Sequence, residues 1–321
     1  MRYLVGYVAD GPGRSALALA GMLASVDERV EIVMCHVLPE ATGLPARGAP
    51  TTGYQQVLAQ QAEQWLAEGR AMLPGAEVET LVRTAASPAA GLVGTLGEAG
   101  AQMLVVGSAR DGLLRRLTVG SVTEQLLRSS PVPVAVAPLG FEPSEGAGLE
   151  RVSCGFLDRP GDTATVLAAR QLARRNKLPL RLVTVVVAES HGLAPFAHPD
   201  EEQQDEHRAQ TVWAADRAAG GLDEDVTVQK VVASGDDLES ALAGIDWLEG
   251  EVLFLGSSRL GEPARVFLGP TATAILRSAP VAVVAIPRGA DVSLESTTEM
   301  PVLAGGEKDR SDAGLPTGDK R

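Results

Sequence analysis

Short apolar runs alternate with longer amphipathic ones along most of this chain. In the first part, Tyr3–Val8, Val30–Leu38, Ala76–Val82, Gln102–Val106 and Val132–Pro138 are rich in Val and Leu and predict strands. Between them, Arg14–Ala24, Tyr54–Leu73, Pro88–Glu98 and Ser121–Arg128 show helical spacing. The punctuation agrees. Ser87-Pro88 reads as an N-cap followed by Pro at the first helical position, and Pro74-Gly75 stops the preceding helix. A second series follows in the same order, with strands near Val152–Leu157, Leu180–Val187, Val226–Val232, Val252–Leu255 and Val281–Ile286. Asp236-Asp237 opens its third helix.

The two series are copies. The stretch LVVGSARDGLLRRLTVGSVTEQLLRSSPVPVAVAP begins at Leu104, and LFLGSSRLGEPARVFLGPTATAILRSAPVAVVAIP begins at Leu253, 149 positions on. Aligned without a gap, 14 of their 35 positions are identical. Such internal repetition decides the architecture before any single residue does. Five strands alternating with four helices imply an open, mostly parallel sheet with helices on both faces. The fold class is therefore α/β, with two tandem Rossmann-like or flavodoxin-like sheets. Residues 1–143 form the first domain, 144–150 a linker, 151–288 the second domain, and 289–321 a Gly-, Ser- and charge-rich disordered tail.

Composition narrows the partners. Lys plus Arg is 28 against 41 for Asp plus Glu, a formal net charge of -13, and aromatics are 3% of the chain. A polyanion is repelled on average, and no series of rings exists on which bases could stack. Nucleic acid is excluded as a general partner; one small phosphate group is not. The acidic start of the helix Pro199–Gly220 reads as a solvated face. Two cysteines, Cys35 and Cys154, and four histidines give no metal-ligand spacing. No apolar run reaches the ~20 residues that span a bilayer, and the N-terminus has no signal-peptide pattern, so the expectation is a cytoplasmic protein without membrane contact.

In open parallel sheets, ligands bind beyond the carboxyl ends of the strands, where strand order reverses. Asp10 follows the first strand, Val37 lies near the end of the second, and Gly107 follows the fourth. After Gly107 comes the loop SARDGLLRRLTV, with Arg110, Arg115 and Arg116, and then Gly120-Ser121-Val122-Thr123 opens a helix. Glycine lets a backbone approach an anion, and the free amides of a first helical turn point at it. Ser121 and Thr123 add hydroxyls. The same spacing also describes a tight turn with a capped helix.

These residues resemble the nucleotide motif of the universal stress protein family: Gly, two residues, Gly, nine residues, Gly, then Ser or Thr. Gly107, Gly120 and Ser121 match, followed by Val122 and Thr123, whereas Arg110 stands where the family has its second Gly. The resemblance covers nearly the whole chain, as two tandem domains. It implies ATP, alone or with Mg2+, with Asp10 at the ribose and phosphate side, Val37 beside the adenine and the backbone of Val106 at the adenine edge. In the second unit Asp158, Gly256 and Gly269 match. Arg259 again replaces the middle Gly, and Pro270 replaces Ser or Thr, so a degraded site is expected there. Arg110 and Arg259 either block phosphate or clamp it.

The function implied is a stress-response regulatory protein that binds adenine nucleotide in its first domain. A nucleotide-independent interaction module stands as the alternative, and a weak ATPase as a lesser one. No phosphate loop of the Gly-Lys-Ser/Thr type, nucleophile elbow or His-x-Gly-His motif supports an ordinary enzyme. His36, within an apolar strand, reads as a core-edge histidine. The last strands, Pro131–Pro138 and Pro280–Pro287, are short, apolar and bounded by prolines. The resemblance implies that they pair, within the chain as a pseudo-dimer or between chains as a homodimer.

Overall fold

The computed structural model describes residues 1–26, 29–40, 51–110, 117, 118, 120–144, 146–156, 162–187, 226–257 and 265–287. The first unit contains β1 (Arg2–Gly6), α1 (Gly11–Ala24), β2 (Glu31–Pro39), α2 (Thr51–Ala71), β3 (Glu77–Ala85), α3 (Pro88–Glu98), β4 (Met103–Gly107), a two-residue hairpin of β5 (Ala109–Arg110) and β6 (Leu117–Thr118), α4 (Ser121–Ser129) and β7 (Val134–Ala137). The second contains β8 (Arg151–Gly155), α5 (Asp162–Asn176), β9 (Leu180–Val187), β10 (Val228–Gly235), α6 (Leu238–Ala243), β11 (Glu251–Gly256), α7 (Pro270–Ser278) and β12 (Ala282–Ile286). The helix expected at 199–220 and the tail from 289 lie outside the described residues.

Local chemistry explains the boundaries. Ser87 is extended and its hydroxyl accepts from the Ala90 amide at 3.2 Å, while Pro88 fills the first helical position. Asp237 makes a reciprocal capping box with Ser240 at the start of α6. Gly75, with φ +85°, takes the left-handed turn between α2 and β3.

The strands run β10-β9-β8-β11-β12-β7-β4-β1-β2-β3 in one ten-stranded sheet. Every neighbouring pair is parallel except β12 with β7, where Val284 faces Ala135. Each unit keeps its own five parallel strands, but the two open sheets expected from the repeat are joined edge to edge. β7 and β12 are thus interior strands, and neither presents a free edge to a second chain.

Alternating side chains split the core into two layers, as the period of a strand requires. Tyr3, Val5, Ile32, Met34 and Val105, with Cys154 and Phe254 of the second unit, pack with Leu17 of α1, Leu66 of α2 and Leu172 of α5. Leu4, Val33, Leu104 and Val106, with Leu253 and Leu255, pack with Leu92 of α3, Leu126 of α4, Leu242 of α6 and Leu276 of α7. Both layers run through both units. No helix among the described residues is long and apolar enough to cross a membrane.

Where the first unit has Leu4 on β1, Val33 on β2 and Gln102 just before β4, the second unit has Ser153, Arg181 and Glu251 at the matching positions. Glu251 is fully buried and accepts from Arg151 at 2.6 Å and from Arg181 at 2.5 Å; the Ser153 hydroxyl and the Leu248 amide donate to it as well. The Arg181 guanidinium lies 4.7 Å over the Trp247 ring. Burial holds the Arg181 pKa below its ordinary value, and Glu251 opposes that shift.

Candidate functional site

The chain runs from β1 outward to β3 on one side, then returns to β4 and β7 on the other. Strand order therefore reverses between β1 and β4, the crevice where α/β sheets bind ligands. Three segments meet at its carboxyl end. They are the turn from Tyr7 to Gly13, the end of β4 at Gly107, and the first turn of α4.

Their approach is set by two glycines. A Cβ on Gly107 would lie 2.0 Å from the Pro12 carbonyl oxygen, so any other residue would push the β1–α1 turn away from β4. A Cβ on Gly13 would lie 1.8 Å from the Val8 oxygen, which closes the turn just as tightly. Asp10 is the N-cap of α1, and its Oδ1 accepts from the Gly13 amide at 2.8 Å. The cap fixes the carboxylate at the mouth of the crevice, exposed, with its second oxygen making no bond among the described residues. Pro12 and Gly13 set the shape of this turn, and the sequence signal was the Asp-Gly-Pro-Gly run itself.

On the other side, Gly120 is the N-cap of α4 and provides no side-chain cap. The amides of the first turn are consequently donors without an intrahelical acceptor, at the positive end of the helix dipole. Ser121 is exposed there and Val122 partly buried. Thr123 departs from the expectation. It is buried, and its hydroxyl donates to the Gly107 carbonyl at 3.1 Å. It braces the helix against the strand instead of offering a proton to a ligand, because it lies on the face of α4 turned toward the sheet. Arg110 sits in β5 opposite Leu117. Its side chain, with Arg115 and Arg116, lies outside the described residues.

The two valines are likewise drawn inward. Val106 is 4% exposed, and its side chain belongs to the core layer under α3 and α4. Only its backbone is near the crevice, in register with Val136. Val37 is half-buried near the end of β2 and packs on α3, where a Cβ at Gly91 would come within 2.6 Å of it. His36 beside it is buried. Its Nδ1 lies 2.9 Å from the Tyr7 carbonyl, to which it donates, and its ring meets Trp65 edge-on. It secures the strand end that leads to Asp10.

In the second unit, Asp158 and Arg259 lie outside the described residues. Gly256 ends β11, and a Cβ there would come 2.5 Å from the Thr165 hydroxyl. Gly269 caps α7 and is followed by Pro270 at the first position, which has no amide to offer. Ala272, the counterpart of Thr123, has no hydroxyl, so α7 lacks the brace to its strand; Thr273 beside it donates to the Leu268 carbonyl of its own loop at 3.4 Å. Ser257 donates to Ile286 at 2.7 Å and accepts from the Phe267 amide at 3.0 Å, while the buried hydroxyl of its counterpart, Ser108, has no partner among the described residues.

Among the described residues, no group of three or more His, Cys, Asp or Glu could hold a metal ion. The arrangement offers one acid, a turn of free amides and an exposed hydroxyl around a cleft. That is a binding geometry for an anion with a polar neighbour.

Comparison with known proteins places the chain in a family. The sequence model of the universal stress protein family matches residues 1–138 and 151–287. A universal stress protein of Mycobacterium tuberculosis and one of Mycobacterium bovis are each 32% identical over 299 residues, covering 89% of this chain and 100% of the relative. Among solved structures, a universal stress protein from Archaeoglobus fulgidus superposes with a TM-score of 0.62 at 18% identity, over 89% of this chain and 98% of that one. A protein from Pseudomonas aeruginosa described as a universal stress protein gives 0.54 at 15% identity, over 91% of this chain and 94% of that one. With both halves matched and curated relatives aligned along their whole length, this chain belongs to the universal stress protein family, as two of its units in tandem.

Proposed function

We propose that this universal stress protein binds an adenine nucleotide, ATP, in the crevice between β1 and β4 of its first unit, and acts in the stress response through that bound state. The observation that carries the reading is the uncapped first turn of α4, held beside Gly107 by Thr123 at the point where strand order reverses. Phosphate oxygens would accept from the amides of Ser121 and Val122 and from the Ser121 hydroxyl. Asp10, oriented by the Gly13 amide, would take a ribose hydroxyl or a phosphate-bound magnesium ion. The adenine would rest on backbone and aliphatic groups near Val37 and Val106, since the chain has few rings on which to stack it. Pro270 removes one amide from the second cradle, which supports weaker phosphate binding there.

Calorimetric titration of ATP with magnesium tests this reading. The wild type is expected to bind one equivalent tightly, and Gly120→Asp, which puts a carboxylate where the phosphate would sit, to lose it. A wild type that takes up no nucleotide overturns the proposal and leaves an interaction module as the reading.

A further inference from the structure

The C-terminal end of α4 is completed by the other unit. A helix leaves its last carbonyls without intrahelical donors, and a cation near that end also complements the dipole. Here Arg265 donates to the Ser129 carbonyl at 3.0 Å, and the Val266 amide donates to the Ser130 carbonyl at 2.9 Å. Both donors belong to the segment between Gly256 and Gly269, the second unit's copy of the glycine loop. The Val266 side chain is fully buried in the layer that contains α3, α4, α6 and α7. The loop is anchored behind it, because the Phe267 amide bonds Ser257, which bonds Ile286 of β12.

We propose that Arg265 and Val266 are positioning residues for the first unit's site, holding α4 from one end so that its other end is presented correctly to phosphate. This rests on the nucleotide reading above. α4 has nine residues, a rigid rod of roughly 14 Å. One end is tied to Gly107 through Thr123, and the other to the second unit through Ser129 and Ser130. A loosened C-terminus frees the rod to tilt and fray, which misplaces the amides of Ser121 and Val122. The repeat places the matching loop of the first unit beside the other helix. Arg265 and Val266 fall at the positions of Arg116 and Leu117, and β6, which contains Leu117, lies against α7. Each glycine loop therefore lies against a helix of the other unit, and the second unit's loop bonds the end of α4. The consequence is that the first unit's affinity depends on the second unit's loop, whether or not the second unit is occupied.

Amide exchange and ATP titration on the full chain test this together, with wild type, Arg265→Ala, Arg265→Lys, and Arg265→Ala combined with Val266→Ala. In the ligand-free Arg265→Ala chain, amides 125–130 are expected to exchange several-fold faster while those of β4 and β11 do not change. The ATP Kd is expected to rise about two- to fivefold, the equivalent of one lost charge at a helix end, and about tenfold in the double variant. Arg265→Lys is expected to restore most of both. Unchanged exchange in α4 of the double variant overturns the proposal, and so does faster exchange with an unchanged Kd. A wild type that binds no ATP overturns the nucleotide reading and the affinity claim with it; the exchange data then still decide whether the second unit holds α4.

Discussion

Gly107 shows how a single position serves fold and site at once. Its missing side chain admits Pro12, and its carbonyl receives Thr123, so it joins the β1 turn to α4 across the end of β4. Its role was legible in the spacing of glycines. That of Thr123 was not, because spacing does not say which way a hydroxyl on the first turn of a helix will face. Deeper in the same unit, Tyr3 is 1% exposed, and burial pushes its phenol up to about 12 from an ordinary 10.0. Below pH 10 the phenol is neutral in both states. Between 10 and 12 the unfolded chain ionises first, so stability present below 10 is lost as pH rises toward 12, by on the order of 2–3 kcal/mol. Tyr3→Phe is expected to flatten the fall of the urea midpoint across that range; an equally steep fall in the variant would remove Tyr3 as its source.

Among the elements, α4 and α7 are copies that the fold uses differently. Both open after an uncapped Gly and end in a residue whose amide closes the last turn, yet only α4 is braced to its strand and begins with a free amide. Pro270 for Ser and Ala272 for Thr were both visible in sequence; that the Thr hydroxyl serves as a brace was not. The start of β8, β9 and β11 carries a second contrast. Glu251 compensates two buried arginines, and removing it leaves both guanidinium groups without a carboxylate in a dry setting. Glu251→Ala is expected to cost about 3–5 kcal/mol in denaturant unfolding, against a small effect for Gln102→Ala at the equivalent position of the first unit. A loss below about 1 kcal/mol would mean that water reaches the cluster.

At the scale of the molecule, the joining of β7 to β12 turns two repeats into one body. Three residue pairs, centred on Val284 and Ala135, make the seam, and both core layers cross it. Units sharing a core are expected to unfold in one cooperative transition. Val136→Pro, which deletes the amide that faces Val283 across the seam, is expected to split that transition in two, read by circular dichroism against urea. A wild type that already unfolds in two steps would show that the seam contributes little.

Taken alone, the amino-acid sequence determined the elements, their duplication and the positions with glycine at strand ends, since periodicity, caps and turn residues act over a few neighbours. It marked Asp10, Gly107, Gly120 and Ser121 for the same reason. Tertiary structure decided which strands lie side by side, that the final strands meet antiparallel in one sheet, and that Thr123 and Val106 face inward. It also decided that the second unit's loop closes the first unit's helix. Those outcomes depend on contacts between residues outside one another's local stretch, 16 positions apart for Thr123 with Gly107 and 136 for Arg265 with Ser129, for which local pattern has no signature. Packing the two shared core layers selects them.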